Sequence, residues 1–296
     1  MKSKLRKSLI EKKFVFTAET SPPDSASKDV VINQVQCLKD LADAVNVTDG
    51  AGAKSHMSAL ATAAIIAERE IEPVLQFTTR DRNRIAIQGD LLGGWALNIP
   101  NILCLYGDEV KGGDQPETKE VRDLDTISLL KTAHDIKTNK TYPSGRKITE
   151  SPEFFIGGAD TPFKITDDFD GQNLLKKINV GVEFFQTQYA FDEIILEKYM
   201  NKLDELGITD KAYFIIGLGV IKSAKSARWM NENLFGINIP DSIINRIEKS
   251  SNEKLEGRKV CIELIEKYKS IKGVSGIHLM GYKQEDEIAS VISYFK

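Results

Sequence analysis

The chain has 296 residues, with 40 lysines and arginines against 43 aspartates and glutamates, a formal net charge of -3. So even a balance argues against a nucleic-acid grip or an anionic membrane surface as its main business. Its 41% apolar and 28% charged residues are ordinary globular composition, in a chain long enough to bury a core without staples. The three cysteines, Cys37, Cys104 and Cys261, are far apart and odd in number. They argue against a zinc ribbon, a thioredoxin-type site and a disulfide framework, and for a reduced, cytoplasmic setting.

Residues 1–13 read as a short amphipathic helix, with Leu5, Leu9 and Ile10 on one side and lysines on the other. They lack the apolar stretch of a secretory signal. No run in the chain approaches the roughly 20 apolar residues of a membrane span. Eight short apolar runs follow, at 14–19, 44–49, 73–77, 102–108, 154–159, 184–188, 213–217 and 277–281. Their β-branched and aromatic content and their Gly or polar ends predict buried parallel strands. Helical spacing fills the intervals 29–42, with Val30, Val31, Val35, Leu38 and Leu41 on the apolar positions, then 58–70, 82–97, 126–138, 170–179, 192–206, 223–233 and 284–295. Two extra helices, 241–248 and 254–269, precede the last strand. Eight such alternations predict an α/β chain folded as one (β/α)8 TIM barrel over residues 1–296. A doubly wound open sheet is the rival, but it wants a nucleotide loop after the first strand. That strand ends in Glu19-Thr20-Ser21-Pro22-Pro23, without glycine.

Reacting groups in a barrel come from the carboxyl ends of its strands. Here those ends are Glu19, Thr48 with Asp49, Gln76, Asp108, Asp160, Gln188, Gly217 with Gly219, and Met280. A carboxyl at position 19 would sit at the rim of a poorly solvated cavity, where desolvation disfavours the charged form. That suits a proton donor working near neutral pH; the alternatives are capping of the next helix or pairing with a lysine. Gly107 lets backbone approach a flat ligand beside the Asp108 carboxylate, although Gly-Asp is also a common turn pair. Gln188 offers a donor and an acceptor to a heterocycle edge, with Tyr189 and Phe191 as a stacking wall or as core. The residues Gly50-Ala51-Gly52-Ala53-Lys54-Ser55 miss a phosphate loop, because Thr48 stands where its first glycine belongs. His56, His134 and His278 form no ligand spacing, so no metal site is expected and each histidine reads as solvated or packed. Residues 109–123 and 139–152 read as mobile loops, the first a cover for a cofactor or a plain surface excursion.

The chain resembles the methylenetetrahydrofolate reductases. The resemblance spans about Phe14 to Phe295 and rests on Ala18-Glu19-x-x-Pro22-Pro23, Val47-Thr48-x-Gly50-Ala51, Leu105-x-Gly107-Asp108, Lys177 followed by Gly181, and Thr187-Gln188-x-x-Phe191-Asp192. It implies a barrel that binds FAD and moves hydride between NAD(P)H, flavin and 5,10-methylenetetrahydrofolate, giving 5-methyltetrahydrofolate. It further implies that Glu19 is the general acid at folate nitrogen, that Asp108 faces flavin and pterin, and that Gln188 contacts the folate, with Tyr189 and Phe191 beside it. Cofactor contacts are implied for Thr48, for the Tyr106-Gly107-Asp108 turn, and for Asp170, Asn173, Lys176 and Lys177. Several positions depart from the family pattern: Asp49 for an aromatic, Val74 for a frequent flavin-contacting histidine, Tyr106 for an arginine, and the segment around Ala159, without the usual Tyr and His. The alternatives kept open are a flavin-free or partner-dependent folate reductase or binding subunit, and a pterin-dependent methyltransferase on the same fold. A homo-oligomer or an electron-donating partner subunit is compatible with each.

Overall fold

The computed structural model describes residues 2–296. Eight parallel strands close in chain order into a barrel: β1 (Val15–Thr20), β2 (Ala44–Val47), β3 (Pro73–Thr78), β4 (Asn101–Leu105), β5 (Phe155–Asp160), β6 (Phe184–Tyr189), β7 (Tyr213–Leu218) and β8 (Val274–Leu279). Around them run α1 (Lys4–Ile10), α2 (Lys28–Val35), α3 (Ala59–Glu68), α4 (Arg84–Ala96), α5 (Thr126–His134), α6 (Gln172–Asn179), α7 (Glu193–Glu205), α8 (Ala224–Asn233), α9 (Asp241–Glu248), α10 (Glu253–Tyr268) and α11 (Glu285–Phe295). The expected (β/α)8 barrel is the observed one, and α9 and α10 are its two extra helices. Among the described residues no helix is long and apolar enough to cross a membrane.

The strand alternation sorts side chains into two cores. Outward residues such as Phe16, Val45, Leu75, Ile102, Ile156, Phe185, Phe214 and Ile277 pack against the helices. The inward set is Val15, Ala44, Val74, Leu103, Phe155, Phe184 and Ile215, which join Leu5 and Leu9 of α1 in a separate apolar cluster. So α1 seals the amino-terminal end of the barrel. It is held there by Glu72, whose carboxylate accepts the N–H groups of Lys4 (2.6 Å) and Leu5 (2.9 Å) and an N–H of Asn101 (2.8 Å). Burial pushes the Glu72 carboxyl above its ordinary range, against the lowering effect of these donors.

Three local expectations change. The first helix is Lys4–Ile10, not 1–13, because the chain turns at Lys12 with φ 56°; Met1 lies outside the described residues. Ile10 is 51% exposed and Val30 is 41% exposed. The i, i+4 pairs Leu5/Leu9 and Val31/Val35 take the buried faces, and Ile10 and Val30 lie one residue, about 100°, round the helix. Strand β8 starts at Val274 rather than 277, since Gly276 pairs with Val15 so closely that a Cβ would lie 2.3 Å from the Val15 oxygen. The two long loops make backbone contacts of their own. Val121 donates to Arg80 at 2.7 Å in the first. A turn with Thr141 bridged to Lys147 organises the second.

Candidate active site at the barrel mouth

Above the apolar floor the inward positions turn polar. Thr17, Asn46, Gln186 and His278 are buried across the barrel and hydrogen-bond to one another. Asn46 and Gln186 exchange amide contacts at 2.6 and 3.0 Å, Gln186 Nε2 donates to Thr17 Oγ1 at 3.0 Å, and Thr17 Oγ1 lies 2.9 Å from His278 Nδ1. A buried polar layer of this kind is stable only because each member finds partners.

One layer higher, the carboxyl ends of the strands enclose a basin of about 560 Å³, with Glu19, Thr48, Asp49, Gln76, Asp108, Asp160, Gln188, His278 and Met280 in its lining. These are the expected strand ends, apart from Gly217 and Gly219, together with His278. A Cβ at Gly217 would fall 2.3 Å from the Thr187 oxygen, so glycine there lets two strands close up. Glu19 keeps 22% of its side chain exposed. Gln76 Nε2 donates to its Oε2 at 3.4 Å, and His278 Nε2 stands 3.8 Å from the same oxygen. The carboxyl caps no helix, since Ser27 is the N-cap of α2, and among the described residues no lysine pairs with it.

The Thr48 hydroxyl is buried in the basin wall and has no hydrogen-bond partner among the described residues. Next to it, Asp49 is ion-paired with Arg82 and accepts the N–H (2.8 Å) and hydroxyl (3.0 Å) of Thr78, fixing the end of β3. After β4 the chain turns at Gly107, φ +87°, where a Cβ would press on Thr78 and Arg80. The exposed Asp108 carboxylate accepts the Gly52 N–H at 2.7 Å, tying this turn to the loop after β2. The Arg122 guanidinium lies 3.7 Å above the exposed Tyr106 ring and donates to the Tyr106 carbonyl at 2.7 Å. Val74, the position of a frequent family histidine, packs in the floor two residues below Gln76 and does not line the basin.

At β5, Asp160 accepts the Tyr199 hydroxyl at 2.9 Å, and Lys177 of α6 donates to the Ala159 carbonyl at 2.6 Å. Burial raises the Asp160 carboxyl and lowers the Lys177 ammonium from their ordinary values, each partly offset by the other's charge. Asp170 just before α6, Asn173 in its first turn and Lys176 in its last are exposed, outside the basin. Gln188 does line the basin, and its Oε1 accepts the Tyr189 N–H at 2.9 Å. Its neighbours Tyr189 and Phe191 are not brought to the basin. They stack on each other at 5.5 Å beside a separate cavity, with Phe191 in the core. Alternation along β6 accounts for this: Gln186 and Gln188 face the barrel interior and Tyr189, the next residue, faces away, beside a register shift between β6 and β7 at Gln186/Tyr189.

The sequence reading missed three features. His278 reads from the sequence as solvated or packed, although its parity with Gly276 and Met280 marks it as inward. Gln186 has the same parity signal relative to Gln188. Phe235, 90% exposed after α8 yet in the basin lining, gives no signal in its segment.

The C. elegans protein described as "Probable methylenetetrahydrofolate reductase (NADPH)" is 24% identical over 229 residues, covering 75% of this chain and 32% of that one, so the chain spans about a third of its relative's length. A solved Clostridium thermocellum protein that binds two copies of 5-methyl-5,6,7,8-tetrahydrofolic acid superposes with a TM-score of 0.67 at 13% identity, covering 98% of both chains. An oxaloacetate acetylhydrolase, solved with 3,3-difluorooxalacetate, superposes with a TM-score of 0.53 at 9% identity, over 99% of this chain and 82% of its own. At these identities both structures speak to the fold alone. The sequence profile of the family described as methylenetetrahydrofolate reductase matches residues 4–296, nearly the whole chain, and this chain is a member of that family.

Proposed function

We propose that the chain is a flavin-dependent oxidoreductase interconverting 5,10-methylenetetrahydrofolate and 5-methyltetrahydrofolate with NAD(P)H, and that Glu19 is its general acid. The observation that carries this reading is Glu19 itself: a carboxyl with no cationic side chain paired to it, half-withdrawn at the mouth of a barrel of this family and met by one amide donor. The C. thermocellum neighbour binds a methylated tetrahydrofolate, which supports a folate as the ligand of this chain.

Glu19 delivers its proton to the bridging nitrogen of the folate. The O–H bond breaks, an N–H bond forms, and the weakened C–N bond opens with its electron pair left on nitrogen. The bridge carbon then becomes the electrophile that a hydride can reach. Gln188, with its amide at the rim, holds the edge of the pterin.

The residues fit FAD. The unpartnered Thr48 hydroxyl suits a polar ring edge. The Tyr106-Gly107-Asp108 turn borders the same wall, and Asp170, Asn173, Lys176 and Lys177 offer ribose and phosphate contacts at α6. When bound, FAD supplies hydride transfer between NAD(P)H and the folate. The test is a spectrum of the purified protein. We expect flavin absorbance that NAD(P)H bleaches and 5,10-methylenetetrahydrofolate restores. A colourless protein that still binds folate would remove the flavin part of the reading, and one that binds neither would end it.

A further inference from the structure

We infer that His278 is a positioning residue for Glu19: with its proton on Nε2, it joins Gln76 in presenting N–H groups to the single carboxyl oxygen Oε2, which leaves Oε1 as the oxygen that carries and delivers the acidic proton. The role rests on the folate reaction proposed above; the protonation of the ring does not.

The buried layer sets the tautomer. Asn46 donates to Gln186 Oε1 at 2.6 Å, which fixes the orientation of the Gln186 amide. The two hydrogens on Gln186 Nε2 are then directed to Asn46 Oδ1 and Thr17 Oγ1, each 3.0 Å away. Thr17 Oγ1 is therefore already an acceptor, and its own hydrogen is free for His278 Nδ1 at 2.9 Å. Gln186 Nε2 also lies 3.4 Å from Nδ1, so a hydrogen on that nitrogen would face donors on both sides. A neutral imidazole in this setting holds its proton on Nε2. His278 is 2% exposed, so bulk water does not compete for either nitrogen.

The geometry at Glu19 then follows. Gln76 Nε2 at 3.4 Å and His278 Nε2 at 3.8 Å both approach Oε2. A formed N–H···O bond is about 2.9 Å long, so the imidazole contact is open by just under 1 Å. Catalytic hydrogen bonds commonly tighten only in the reacting complex. When Oε1 gives its proton to the folate nitrogen, negative charge develops on the carboxyl. As both donors close on Oε2 they stabilise that charge.

Two substitutions and one spectrum test this. His278→Asn keeps an oxygen where Nδ1 accepts from Thr17, but withdraws the donor from Glu19. His278→Gln reaches the Nε2 position and keeps the donor. We expect kcat to fall about 10- to 100-fold in His278→Asn, with KM unchanged. This is below the roughly 100- to 1,000-fold loss of a sole oxyanion donor, because Gln76 remains. His278→Gln should recover most of that loss. A wild-type kcat in His278→Asn, or equal losses in both variants, would overturn the inference. In the wild-type protein, ¹⁵N NMR of its three histidines should show His278 with a bare Nδ1 and a protonated Nε2. A proton on Nδ1 overturns the inference whatever the protein reduces. A wild-type chain with the expected ring signals and no folate reduction would instead overturn the reaction, and the role of His278 with it.

Discussion

At the floor of the barrel, Val15, Ala44, Val74, Phe155, Phe184 and Ile215 pack beneath Leu5 and Leu9 of α1, and the half-buried carboxyl of Glu72 is met by N–H donors from Lys4, Leu5 and Asn101. At the mouth, only one or two inward positions further along the same strands, Glu19 has a single long hydrogen bond and Thr48 has none. The two ends share strands, parity and closure, so backbone does not distinguish them. The difference is satisfaction. A region whose polar atoms are all partnered holds itself together, and a region that leaves donors and acceptors open is prepared for something else to complete it.

If that division is right, damage at the mouth should cost activity and damage at the floor should cost stability. The largest effect is expected from Glu19→Gln, which removes the acidic proton. Folate reduction should fall about 100- to 10,000-fold, while the urea midpoint stays unchanged and folate still binds, as steady-state kinetics and calorimetry would register. Next comes Leu5→Ala, which opens a cavity under α1. Stability should drop by about 2–5 kcal/mol in urea unfolding, with kcat intact in the folded fraction. A kcat that fell in step would mean that floor and mouth are coupled.

Thr48→Val is the most direct test of preparation for a ligand. Removing a buried hydroxyl without a partner should leave the ligand-free protein as stable or up to about 1–3 kcal/mol more stable, yet weaken flavin binding in a fluorescence titration. Tighter flavin binding would show that the hydroxyl serves nothing. The smallest effect concerns Glu72. Its carboxyl is raised in the folded protein by burial, so from about 4.5 upward the folded state holds more protons than the unfolded one. The Glu72 contribution to stability therefore falls as pH rises through that window. In Glu72→Gln this component disappears, and the decline of the urea midpoint above pH 4.5 should be shallower than in the wild type.

The sequence alone determined the frame. Alternation of short β-branched runs with helical spacing is a local property, readable from one segment at a time, and it placed all eight strands and the helices α9 and α10. It also placed Glu19, Gln76 and Gln188 at strand ends, and parity along a strand then aims them inward. Tertiary structure decided which of these groups meet. Thr17 and His278 are 261 residues apart, and only the pairing of β1 with β8 in one particular register brings the imidazole to Oε2 of Glu19. Tyr189 came to a cavity apart from the basin, beside Pro162 and Gly236, and Asp108 found its partner in a loop 56 residues earlier. Such contacts depend on how strands close on one another, a long-range property that no single segment encodes.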